Sequence, residues 1–74
     1  MLYYQKNEMI FYKLDETEKS FIEVFNNGTS QFRIMEINDS TIFDQVMERI
    51  NTYSFQICTQ QQFEEKLLQT KNKF

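Results

Sequence analysis

The sequence predicts an α+β fold: a mostly antiparallel sheet, formed by a β-meander followed by an α-β-α segment, with two helices packed on one face. Three observations lead there. Four short apolar stretches before residue 38 are separated by polar loops, the pattern of a meander. From Asn38 the apolar spacing changes to the helical period. A short alternating stretch then separates two helical segments.

Leu2 to Gln5 opens the chain as a strand, with Lys6-Asn7 as the bend before a second strand, Met9 to Leu14. Asp15 to Lys19, "DETEK", is a charged hairpin loop leading into Phe21 to Phe25. Asn26 to Ser30, "NNGTS", is a loop in which Gly28, the only glycine, can take positive φ without a Cβ penalty. Phe32 to Ile37 closes the meander. Ile42, Phe43, Val46, Met47 and Ile50 then form one helical stripe, with Ser40 or Thr41 as the cap. Tyr53 to Cys58 alternates cleanly and reads as a strand. Thr59-x-x-Gln62 is a capping box for a second helix, whose Phe63, Leu67, Thr70 and Phe74 share a stripe. The roughly 15 residues between Ile37 and Tyr53 are enough for a crossover joining parallel neighbours.

Seventy-four residues make a single domain, 1–74. The net charge of −3 offers no general attraction to phosphate backbones or anionic lipid. No apolar run approaches the roughly 18 residues of a membrane span, and no basic segment leads into an apolar one at the N-terminus. A single cysteine fits a reducing compartment, so a cytoplasmic location is expected. The sequons Asn27-Gly28-Thr29 and Asn38-Asp39-Ser40 are read as turn and cap chemistry.

Chemistry-bearing groups are sparse. Histidine is absent, which removes the usual general base, the usual partner of a Ser or Cys nucleophile and the commonest zinc ligand. Cys58 has no such partner. One glycine cannot build a phosphate loop. Asp15, Glu16 and Glu18 lack the ligand order of a calcium loop. No catalytic, cofactor-binding or metal-binding residue is therefore assigned, and no enzyme is expected.

The stretch "SFIEVF" carries large apolar groups at odd and even positions alike. If both helices cover one face, Ile10, Tyr12, Leu14, Ile22, Val24, Phe55 and Ile57 belong beneath them, joined by Phe32 and Ile34, with Met35 and Ile37 competing for that place. The reverse face then carries Met9, Phe11, Lys13, Phe21, Glu23, Phe25, Arg33 and Met35, with Phe11, Phe21, Glu23, Phe25, Arg33 and Met35 as its central patch. Such an aromatic patch has the character of an interface, and a domain this small has few other sources of stability. These six residues are the candidate protein-interaction site, for a protein partner or a second copy in a homodimer.

The expected function is thus a small non-catalytic protein-binding module. Phe, Tyr, Met, Ile, Asn and Lys supply nearly half the chain. Their AT-rich codons suggest an inhibitor or accessory factor of a phage or mobile element, for example an antagonist of a bacterial defence system. One alternative is a single-stranded nucleic-acid binder stacking bases on the same aromatics, which eight scattered basic residues disfavour. Another is a structural subunit in which Leu2 to Gln5 pairs with a neighbour's sheet.

Overall fold

The computed structural model describes residues 1–74. The chain runs β1 (Leu2–Lys6), β2 (Ile10–Asp15), β3 (Ser20–Asn26), β4 (Phe32–Ile37), α1 (Ser40–Thr52), β5 (Gln56–Ile57) and α2 (Gln60–Lys71). All five strands form one antiparallel sheet in the order β4-β3-β2-β1-β5. The α+β class and the meander are as expected, and Leu2–Lys6 is a strand.

Local chemistry fixes each hairpin. Between β1 and β2, Asn7 and Glu8 both have positive φ (55° and 58°) and the Met9 amide donates to the Lys6 carbonyl. This is the primed turn that suits the right-handed twist of a hairpin. Between β2 and β3, the Asp15 carboxylate accepts from the amides of Thr17 and Glu18, and Lys19 closes the loop at φ 51°. In the third loop Gly28 takes φ 85°, and the Asn27 side chain accepts from the amides of Thr29, Ser30 and Gln31.

The two helices lie on opposite faces, which corrects the expectation that both share one. The cause is the β2–β3 register, in which Leu14 pairs with Phe21 and Tyr12 with Glu23. Leu14, Tyr12, Phe21, Glu23 and Phe25 therefore point to one side, while Phe11, Ile22 and Val24 point to the other. A register one residue different would exchange every side chain of β3 between faces. The α1 face buries Phe43, Val46 and Ile50 against Tyr12, Leu14 and Phe21. The α2 face buries Phe63 with Phe11, Val24 and Cys58, flanked by Tyr3, Ile22 and Leu67. Large apolar residues occur at both parities of "SFIEVF" because both sides of β3 are covered.

Smaller differences concern the α1 cap, the fifth strand and the C-terminus. Asp39, rather than Ser40 or Thr41, caps α1, accepting from the amides of Thr41 and Ile42. The expected strand Tyr53–Cys58 shrinks to Gln56–Ile57, because α1 runs on to Thr52 and Ser54 takes φ 56° in the turn that follows. That short strand pairs antiparallel with β1, on the far edge from β4, so the α1 connection joins no parallel neighbours. The α2 capping box forms as expected, with Thr59 and Gln62 bonding each other's backbone amides. Phe74 lies beyond the helix and is exposed.

Candidate protein-interaction surface

The two helices leave different parts of the sheet uncovered. α1 starts below Ile37 and ends near Lys6, whose ammonium donates to the Tyr53 carbonyl. α2 runs from Tyr3 and Phe11 toward Asn26, where the Asn26 side-chain amide donates to the Thr70 hydroxyl at 3.1 Å. On the α1 face the corner formed by Phe25, Arg33 and Met35 lies outside the packed cluster. Phe25 and Met35 are half-buried there, and the Arg33 guanidinium lies 5.7 Å from the Phe25 ring centre.

A charged group anchors this corner from beneath. Glu23 sits in β3 with 4% of its side chain exposed, and Arg33 Nε donates to its Oε1 at 2.9 Å. The Tyr12 hydroxyl donates to Oε2 at 2.7 Å, so both carboxylate oxygens are satisfied. A carboxylate buried without such partners would carry a desolvation penalty of several kcal/mol. Burial first, then the bond to Glu23 and its negative charge, push the Tyr12 phenol up to about 12. Arg33 keeps 55% of its side chain exposed and presents the rest of its guanidinium outward.

Beside this corner lies the free edge of the sheet. β4 pairs only with β3, and nothing flanks its other side. The Asn27 amide donates to the Gln31 carbonyl, which makes that pair hydrogen-bonded. Antiparallel alternation then directs the main-chain groups of Arg33, Met35 and Ile37 toward β3. Those of Phe32, Ile34 and Glu36 point outward, to no partner. The opposite edge is far shorter, since β5 holds two residues and Ile57 is 80% exposed.

The six expected interface residues therefore divide. Phe25, Arg33 and Met35 meet at an accessible corner. Phe21 is buried beneath α1 and packs edge-on against Tyr12, with ring centres 5.9 Å apart. Phe11 faces the opposite side, buried beneath α2. Glu23 is buried and acts as the anchor. The continuous patch through Phe11, Phe21 and Phe25 does not form, and two of those three rings cannot stack a base where they lie.

No residue type marks the outward backbone of Phe32, Ile34 and Glu36. The available signal was position: the last strand of a meander has no successor beside it unless the chain returns. Elsewhere the clefts are shallow and open. One of about 270 Å³ beside α2 is lined by polar groups, among them Gln62, Glu65 and Lys66, with Phe11 its one hydrophobic residue. No group of three or more His, Cys, Asp or Glu side chains is placed to hold a metal ion. No helix is long and apolar enough to cross a membrane. Burial pushes the Cys58 thiol up, which reduces the thiolate available for chemistry at neutral pH. Comparisons with family models, curated proteins and solved structures found no match.

Proposed function

We propose that this chain is a small non-catalytic protein-binding module that docks through the β4 edge and the adjoining Phe25–Arg33–Met35 corner. The observation that carries this reading is the free outer edge of the six-residue β4, which adjoins the accessible Phe25–Arg33–Met35 corner. Unpaired strand edges are templates for another strand, with main-chain bonds supplying affinity and flanking side chains supplying specificity. Many proteins blunt such an edge with charged side chains, proline or a bulge; β4 reads FRIMEI, without proline or bulge, and of its two charges Arg33 is paired with Glu23, which leaves Glu36. Arg33, held by Glu23, adds a fixed cation and a flat guanidinium to the corner. The bias toward residues with AT-rich codons supports an inhibitor or accessory factor of a phage or mobile element as the setting.

The test compares the immobilised wild-type chain with a Phe25→Ser/Met35→Ser variant in capture from host lysate. Both side chains lie outside the packed clusters, so the variant should keep its circular dichroism spectrum. It should lose the proteins that wild type retains. Equal capture by both would overturn the corner as a docking site. Phe21→Ser is unsuitable, because it opens the core beneath α1.

A further inference from the structure

We infer that the β4 edge pairs with the β4 edge of a second copy, antiparallel about a two-fold axis at Ile34, giving a ten-stranded sheet across the dimer. The inference rests on the edge-docking reading above and names the occupant. A two-fold pairing must bring outward-facing residues opposite outward-facing ones, which restricts the register. An axis at Arg33 sets two guanidinium groups against each other, and an axis at Glu36 does the same with two carboxylates. Like charges directly opposite destabilise a strand pair. An axis at either end of the strand, Phe32 or Ile37, leaves most of β4 unpaired.

Axes at Ile34 and Met35 remain, and charge separates them. With the axis at Ile34, Phe32 of one copy opposes Glu36 of the other, Ile34 meets Ile34, and Arg33 meets Met35. The Lys73 ammonium lies 5.7 Å from the Phe32 ring centre. Each Glu36 carboxylate, exposed and in no ion pair within its own chain, then comes up beside a Lys73 ammonium of the other copy. An axis at Met35 places Glu36 opposite Ile34 instead, away from Lys73. The Ile34 axis also engages the outward main chain of Phe32, Ile34 and Glu36 alike, whereas an axis at Met35 leaves Phe32 opposite Asn38, outside the strand, and it lets the Phe25–Arg33–Met35 corners of the two copies adjoin on one face.

Sedimentation equilibrium over a wide concentration range should show a reversible dimer for the wild-type chain. Ile34→Pro deletes an amide that points away from β3, a position where an edge strand accepts proline; it should weaken self-association at least tenfold with the fold retained. Glu36→Lys, which puts two ammonium groups together, should also weaken it at least tenfold, and does so without touching the backbone if the proline variant fails to fold. For register, Ile34→Cys should form an interchain disulfide under mild oxidation while Met35→Cys and the wild type, whose Cys58 is buried, do not. The Ile34 axis puts the two 34 positions about 5.5 Å apart at Cα, within disulfide reach, and the two 35 positions beyond about 7 Å.

A wild type monomeric at every concentration, or a dimer indifferent to both Ile34→Pro and Glu36→Lys, overturns the inference. Preferential cross-linking through Met35→Cys overturns the register. A monomeric wild type whose lysate capture is nevertheless lost with Glu36→Lys would retain the edge-docking reading with a different partner, so the two failures are distinguishable.

Discussion

The α1 face and the α2 face of the same sheet are built from different materials. Under α1, three aliphatic or aromatic side chains of the helix meet Tyr12, Leu14 and Phe21, and the only buried charge, Glu23, lies at the rim. Under α2, the helix contributes one large ring, Phe63, and then a hydroxyl, Thr70, which is fully buried against Asn26. The first face is held mainly by area removed from water. The second concentrates its burial in one residue and finishes with a hydrogen-bonded polar pair. The difference shows how a sheet of few residues can be covered on both sides without a uniformly apolar sequence.

The two faces should differ most when Phe63 is changed. Phe63→Ala removes the one large, fully buried side chain of α2 and leaves only the half-buried Leu67 as an apolar group on that face of the helix; burial of this kind is worth about 3–5 kcal/mol. Against a total stability of about 5–15 kcal/mol for such domains, the variant should show a strongly lowered midpoint in urea. Val46→Ala on the other face should cost about 1–3 kcal/mol, since Phe43 and Ile50 still cover Tyr12 and Leu14. Equal losses at the two positions would mean that α2 is not held by one residue.

These same particulars show what was legible in the sequence. The α1 stripe of Ile42, Phe43, Val46, Met47 and Ile50 was readable from its helical spacing, although only Phe43, Val46 and Ile50 are buried and Ile42 is exposed. The Thr59–Gln62 capping box was readable because it is a local pair of hydrogen bonds. The face assignment was not, because it depends on whether Leu14 or its neighbour aligns with Phe21. That parity is decided by a four-residue loop closed at Lys19 in the left-handed region, a conformation which "DETEK" does not announce. The division of the expected interface residues follows from the same parity: Phe11 and Phe21 each gained a helix above them. Phe25, Arg33 and Met35 stayed accessible because α1 leaves the sheet's far corner bare.

The polar groups sharpen the contrast at intermediate size. Thr70→Val leaves the Asn26 amide buried without its acceptor and should destabilise by about 1–3 kcal/mol. Tyr12 gives the α1 face a pH signature. Its phenol is held protonated up to about 12 in the fold, while the unfolded chain ionises near 10. Between those values the unfolded state binds fewer protons than the native one, so stability is fully present below pH 10 and falls as pH rises toward 12. The loss should reach about 2–3 kcal/mol. Tyr12→Phe should flatten that alkaline decline in urea melts at pH 9 to 11, and an unchanged slope would place its origin elsewhere.

The smallest expected effects lie at the helix caps, where the two faces can be compared with nearly the same chemistry. Asp39 accepts two amides at the start of α1, and Thr59 accepts one while Gln62 returns a bond to its backbone. Alanine at either cap removes about 1 kcal/mol of intrinsic helix stabilisation. What differs is the support behind each cap. α1 is pinned by three buried residues along its length, so Asp39→Ala should lower global stability by that amount and leave local amide exchange little altered. α2 has its one large anchor, Phe63, a single turn after the cap. Thr59→Ala should therefore loosen the segment carrying the anchor itself, and exchange at Gln62 and Phe63 should quicken more than at the matching positions of α1. Equal exchange in the two variants would mean that the Asn26–Thr70 bond holds α2 as firmly as three apolar side chains hold α1.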